Sequence, residues 1–407
     1  MVRHGSETVL DLANEFLHHG RPQRVLAVTM GGPRPAEAGA TARRPGAPAD
    51  LAADLLTLLA HPNIASKADV IRRYDHEVQG GTVIKPLTGA ANDGPSDACV
   101  IKPAGTAGRR GIVLSNGINP EFGKRDPYRM AVSVVDEAVR NAVAVGADPD
   151  RLALLDNFCW GDVRRPETLG SLVSAARGCH DAALHHGAPF ISGKDSLNNE
   201  YLGADGRRHA IAPTLLISAI GVIEDVSRAV TMDLKEVGDL LYLAGETRPE
   251  LGGSHLELAG GTLGRTAAGL GSVPGQAPQA PALYRALHQA MLMGVVRAAH
   301  DLSEGGLAVA AAEMSIGGRL GLALELADED PVTALFSESN GRLLVEVRPA
   351  DEAAFEACFA GRPGLVPRRV GTVTAGARLE ISAGARRLVS LAVADLVAAW
   401  TRGPAVS

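Results

Sequence analysis

The densest group of chemistry-bearing side chains lies in PFISGKDSLNNEY, residues 189–201. Gly193 permits close backbone approach to a phosphate, and Lys194 offers a point charge. Asp195 is a Mg2+-ligand type and Ser196 can donate to an oxyanion. The GxxxxGK[ST] spacing of a Walker loop is absent. By itself the run reads equally well as a turn with a solvated Lys194 and Asp195. A second group, LALLDNFCWGD (152–162), runs an apolar strand into Asp156 and Asn157. They sit at its carboxyl end, where open α/β sheets place ligands, although an Asx turn accounts for the same residues. In GPSDACVIKP (94–103), Asp97 stands at a strand start as either a Mg2+ ligand or a turn acceptor.

Two further groups carry less by themselves. AHDLSEGGLAVAAAEM (299–314) places His300 and Asp301 before a turn, and Ser303-Glu304-Gly305-Gly306 at a helix start. Free N–H groups there suit phosphate, but an ordinary Ser N-cap with its own first-turn Glu is the simpler account. LFSESNGRLLVEV (335–347) is a polar loop before a strand. The pairs His18-His19 and His185-His186 lack metal-ligand companions and read as solvated helix ends. No GxSxG elbow, HExxH helix, dinucleotide GxGxxG or EF-hand loop occurs.

These groups need elements to hold them, and the pattern supplies strands alternating with helices. Strand-like runs fall at Cys99–Ile101, Gly111–Leu114, Leu152–Leu155 and Thr214–Val222, with helices at Tyr128–Val145 and Leu169–His186 between them. Each helix ends at a glycine, Gly146 or Gly187. That is one domain, 61–229. A second, 232–397, begins with a strand at Leu240–Ala244. It continues with helices at Leu283–Ala299 and Leu307–Met314, then strands near Leu322–Leu326 and Arg342–Val347. The layering is α/β or α+β. Residues 31–50 and 259–280, rich in Gly, Pro and Ala, read as a flexible linker and a mobile loop. Residues 398–407 read as a tail.

Composition bounds the rest. With 407 residues and 46% hydrophobic content the chain can bury two cores. A net charge of −6 leaves no basic footprint for nucleic acid or a membrane surface. Four cysteines without CxxC spacing suit free thiols in a reducing cytosol. No segment has signal-peptide character, and none reaches the ~18–20 apolar residues of a membrane span. A cytoplasmic protein is expected.

In order and wording, the chain's motifs resemble the phosphoribosylformylglycinamidine synthase family, and more distantly the aminoimidazole ribonucleotide synthetase superfamily. The motifs are HPNIASKADVIRRYDHEVQGGTVIKP, GPSDACVIKP, SNGINPEFGKRDPYRMAVSVVDEAVRNAVAVGADP, LLDNFCWGD, SGKDSLNNEY, HDLSEGGL and SESNGRLLVEV. The resemblance runs from about Glu15 to the C-terminus. It implies an ATP-dependent amidation: the amide oxygen of formylglycinamide ribonucleotide is phosphorylated, and ammonia displaces the phosphate to give the amidine. It implies ATP and Mg2+ as cofactors, because negative charge builds on the transferring phosphoryl. Carried over by residue, Asp156 and Gly193 contact nucleotide and Ser196 contacts substrate. Shorter members read Gly-Asn-Val-Ser where this chain reads Gly193-Lys194-Asp195-Ser196. Lys194, which cannot ligate Mg2+, therefore stands at their metal-binding asparagine and becomes a phosphate-site candidate. Metal binding is assigned to Asp195 and Asp97.

The family's synthetase is a tandem of two similar halves, and this chain matches the second. Residues 1–60 resemble a remnant of the first half's companion domain plus a linker. The catalytic histidine and most metal carboxylates belong to the first half, so no catalytic residue is assigned. Met1 as an internal start, a split gene or a fragment are the expected explanations. The expected partners are a first synthetase half or a second copy of this chain, and a separate glutaminase subunit supplying ammonia. The expected fold is an N-terminal sheet-plus-helices domain able to form a barrel with a partner, followed by a C-terminal α/β sandwich. Two rival readings remain: a non-catalytic nucleotide-binding half that stabilises an assembly, and a homodimeric synthetase of the superfamily.

Overall fold

A computed structural model describes residues 1–20, 23–31, 50–259, 271–327, 330–362 and 364–402. The expected linker at 31–50 lies almost wholly outside the described residues, as does much of the expected loop at 259–280. Six strands form the first sheet: β1 (Thr82–Ile84), β2 (Ala98–Ile101), β3 (Gly111–Ile118), β4 (Ala153–Cys159), β5 (Phe190–Ser196) and β6 (Thr214–Ile223). Their spatial order is β1-β2-β3-β6-β4-β5. Neighbours are antiparallel except β4 and β5, which a helical crossover joins as a parallel pair requires.

Two long helices cover one face of this sheet, α2 (Pro127–Ala144) and the crossover α3 (Pro166–His186); a shorter α1 (Leu51–Leu59) precedes them. Asp126 caps α2 by accepting from Arg129 N, with Pro127 in the first turn. The helix comes so close to β3 that a Cβ on Gly117 would stand 2.1 Å from Val134 O. Only glycine fits there. Along β6 burial alternates strictly, so Leu215, Ile217 and Ala219 meet the helices while Leu216 and Ser218 face the other way. That open face also carries Leu114 and Ile118, each 40% exposed.

The second domain is a seven-stranded sheet: β7 (Leu240–Ala244), β8 (Ala298–Asp301), β9 (Gly321–Leu326), β10 (Leu343–Val347), β11 (Arg368–Thr374), β12 (Arg378–Ala383) and β13 (Arg386–Ala392), ordered β8-β10-β7-β11-β9-β12-β13. Helix α4 (Ala280–Met293) packs on one side, while α5 (Gly306–Gly318) and α6 (Val393–Arg402) join the core on the other. Strand β7 is buried on both faces: Leu240 and Tyr242 enter the core shared with the first domain, and Leu241 and Leu243 enter the opposite one. This strand, LLYLA, therefore reads as a continuous apolar run.

Three expected boundaries differ. Helix α4 stops at Met293 because Gly294 takes a left-handed φ of 75°, and the last residues of the expected helix become β8. Residues 51–59, placed by expectation in the remnant and linker of 1–60, form helix α1. Leu55, Leu58 and Leu59 lie in the second domain's core with Leu396 and Trp400, and Trp400 Nε1 donates to Ile64 O at 3.1 Å. Helix α6 accordingly runs to Arg402, through the start of the expected tail. No helix of the described residues is long and apolar enough to cross a membrane.

Candidate functional site

Strand β2 begins at Ala98, which pairs with Ser115, so the β3 edge beyond Ser115 lacks a strand neighbour on that side. Side chains of α2 take the free backbone groups. Asn141 Nδ2 donates to Asn116 O at 3.0 Å, and Ile118 N donates to Glu137 Oε2 at 3.0 Å. Opposite this gap β8 of the second domain ends in His300-Asp301. Between the two lies a cleft of about 700 Å³, whose walls include Lys67, Asp97, Asn116, Asn141, His300 and Glu304.

Asp97 is the centre of its chemistry. Its side chain is 1% exposed. Oδ1 accepts from His300 Nδ1 at 2.8 Å and from Asp301 N at 3.0 Å. Oδ2 is buried without a partner among the described residues, and so is Asn141 Oδ1. A buried bare acceptor costs about 1–3 kcal/mol, more when charged. Both side chains belong to residues that line the cleft, and a cation reaching these oxygens would remove that cost, so the donor set fits a hard divalent ion. Lys67 adds positive charge to the same wall. Its Nζ is held at 3.2 Å from Asn63 O and also donates to Ala65 O. Burial lowers its pKa, opposed by Glu313 and Glu304.

The charges behind the cleft are paired. Arg140, buried in α2, donates to Asp301 Oδ2 at 3.0 Å and to Asp136. Burial disfavours its charge, but these carboxylates outweigh the penalty and raise its pKa. The reverse holds for Glu137, where burial, then Glu304 and Asp301, push the carboxyl well above its usual range. For His300 burial opposes protonation, and Asp97 and Glu313 more than offset it.

SGKDS is not a turn; it is the end of edge strand β5. In register, Asp156 pairs with Gly193, Asn157 with Lys194, Phe158 with Asp195 and Cys159 with Ser196. Period-2 alternation therefore splits the group, with Gly193 and Asp195 on one face and Lys194 and Ser196 on the other. The space above Gly193 is taken by Asp156, since a Cβ there would meet its Oδ1 at 2.4 Å. Burial first, then Asp195, raises the Asp156 carboxyl. Lys194 Nζ donates to Ser196 Oγ. The two residues expected to bind metal are apart. Asp97 adjoins β2, and Asp195 lies four strand spacings away, roughly 19 Å. Within one chain they cannot hold one ion.

Sequence reasoning missed Lys67, Glu137 and Asn141; the only available signal was the i,i+4 spacing of the last two on one helix face. The expected Ser cap of α5 is also replaced. Gly305 is the N-cap, and its N–H donates to Glu338 Oε1 at 2.8 Å, so the SESNG loop satisfies the SEGG turn. His186 is buried rather than solvated. It lies 3.4 Å from Asp136 and stacks on Tyr284, and burial pushes its pKa down to about 4.

Comparison with known proteins bears on the fold. The AIR synthase related protein N-terminal domain model matches residues 95–223, and the C-terminal domain model matches 236–384. A curated relative from Synechococcus elongatus, phosphoribosylformylglycinamidine synthase subunit PurL, is 36% identical over 85% of this chain and 45% of its own length. The subunit of the same name from Methanothrix thermoacetophila is 34% identical over 99% of this chain and 50% of its own length. The chain thus spans about half the length of the curated relatives it matches. Among solved structures, Thermotoga maritima PurL complexed with FGAR superposes with a TM-score of 0.65 at 18% identity, over 86% of this chain and 54% of that one. The same enzyme complexed with ATP gives 0.55 at 19% identity, over 81% and 51%. The two-domain fold is shared.

Proposed function

As the chain belongs to the AIR synthase-related family, we propose that it is the second half of an ATP-dependent carbon–nitrogen ligase, phosphoribosylformylglycinamidine synthase, acting in purine biosynthesis. The reaction converts formylglycinamide ribonucleotide, ATP and ammonia to the amidine, ADP and phosphate. The carrying observation is the pair of bare, buried oxygens, Asp97 Oδ2 and Asn141 Oδ1, in a cleft large enough for a nucleotide. These two side chains would hold Mg2+, and Lys67 would face the phosphates. A divalent ion bound there neutralises charge on the phosphoryl groups.

The edge strand serves a different site. Gly193, Lys194, Asp195 and Ser196 lie on the exposed edge strand, with Asp156 beside Gly193 on the neighbouring β4, outside the cleft's walls. They are offered to the cleft of a partner, with Asp156 and Gly193 toward its nucleotide and Ser196 toward its substrate. Asp195 brings a metal-binding carboxylate to that same cleft. The partner is the first synthetase half, whose sheet closes a barrel against the open face of the first sheet, and a glutaminase subunit delivers ammonia. The four unpaired cysteines fit a reducing, cytosolic setting.

Titration calorimetry with Mg-ADP tests the cleft: the chain binds and Asp97→Asn loses at least tenfold in affinity. Equal affinity would sink the assignment. Turnover tests the half: the purified chain forms no amidine alone, and a first half restores it. Asp156→Asn or Ser196→Ala then lowers the restored rate. Amidine from the chain alone would favour the homodimeric reading. The self-contained cleft also favours a second reading, a non-catalytic nucleotide-binding half; Mg-ADP binding with no turnover beside any first half would select it.

A further inference from the structure

Asp97, His300 and Asp301 bring carboxylate oxygens and a ring nitrogen within 4.8 Å of one another, an arrangement that invites a three-ligand metal site. The hydrogen bonds take His300 out of that arrangement. His300 Nδ1 is 2.8 Å from Asp97 Oδ1, and Nε2 is 3.1 Å from Glu313 Oε2. Both ring nitrogens are thus taken up by side-chain carboxyl partners, Nδ1 by Asp97 and Nε2 by Glu313. Asp301 keeps one oxygen: Arg140 Nε at 3.3 Å and Nη2 at 3.0 Å both donate to Oδ2, which leaves Oδ1 with only Ser303 Oγ at 3.5 Å among the described residues.

We propose that His300 is a positioning residue, not a ligand: it clamps Asp97 so that Oδ2 alone is presented to a divalent cation in the cleft. The proposal rests on the reading of that cleft as a metal–nucleotide site. Two donors, the His300 ring and the Asp301 backbone N–H, converge on Oδ1 and fix the carboxylate's rotation. The other oxygen is left buried and bare. The ring is itself held at its far side by Glu313 of α5, so the clamp ties the start of β2 to the end of β8 and to a helix of the second domain. Asp97 is thereby aimed by the neighbouring domain, and His300 of the HDLSEGGL motif acquires a role that a phosphate-binding helix start does not explain. Groups that hydrogen-bond a metal-ligating carboxylate generally set affinity by such orientation.

The full 407-residue chain is titrated with Mn2+ and followed by electron spin resonance, with thermal melts as a check on folding. His300→Gln is expected to weaken Mn2+ binding roughly 10–100-fold, Glu313→Gln to weaken it less, and Asp97→Asn to abolish it. Should His300→Gln fold poorly, Glu313→Gln carries the test, because it loosens the clamp from its outer end. The spin-echo spectrum of the Mn2+-loaded parent is expected to lack the nitrogen coupling of a directly bound imidazole. Detecting that coupling overturns the proposal, as does parental Mn2+ affinity in both His300→Gln and Glu313→Gln. If Asp97→Asn loses Mn2+ while the clamp variants keep it, only the clamp falls. If the parent takes up no Mn2+, the reading of the cleft falls and the clamp with it.

Discussion

Gly193 shows how one residue's meaning changes once its neighbours are known. In the sequence its value is backbone exposure; in the fold it is the missing Cβ that lets Asp156 lie across β5. Gly193→Ala forces that carboxylate to rotate or the edge strand to move, so a destabilisation of about 1–3 kcal/mol is expected, with poorer complementation of a first half. Urea unfolding reads the first effect, and parental stability would mean that Asp156 swings away freely. Asp97 was legible as a candidate because acidic residues at strand starts are few. Lys67 was not, and Asn141 only through its i,i+4 spacing from Glu137, since an amide inside a helix and a lysine in a loop do not by themselves mark a bare oxygen or a cleft wall.

At the scale of elements, strand β10 holds a titratable strut. Glu346 is fully buried, and its carboxyl accepts from Lys235 N and Glu236 N. Burial, followed by a hydrogen bond to Asp239, raises its pKa to about 8. A carboxyl raised in the folded state holds its proton more tightly than the unfolded chain does. It therefore stabilises fully below the ordinary carboxylate range, and that contribution is lost as pH climbs toward 8. Urea midpoints are expected to fall between pH 5 and pH 8.5 in the parent and to change less in Glu346→Gln, which mimics the protonated form. Parallel pH profiles would remove Glu346 as the cause. Most elements here were readable from periodicity and stop signals: α2, α3, β6 and β7 lie within a residue or a few of expectation. The misreadings have local causes. A left-handed Gly294 ended α4 early, and SGKDS looked like a turn because an edge strand buries too little to impose alternation.

For the whole molecule, the open face of the first sheet is the outstanding feature. Leu114 and Ile118 are exposed on a surface of strands rather than scattered singly, and such faces mark interaction surfaces. Light scattering during size-exclusion is expected to report association of the parent, with a first half or with a second copy, and a monomer for Leu114→Glu/Ile118→Glu. A monomeric parent at every concentration, with or without a first half, would count against a barrel-forming face. The amino-acid order alone determined the two α/β layers, the motifs and the family they resemble, because helix and strand periods, glycine stops and local wording are properties of short stretches. Only the tertiary structure decided that Asp97 faces His300 and Asn141 across a domain cleft while Asp195 stands on a distant edge. Which side chains share a cavity depends on strand order and domain docking, set by burial of apolar surface far along the chain from the residues brought together.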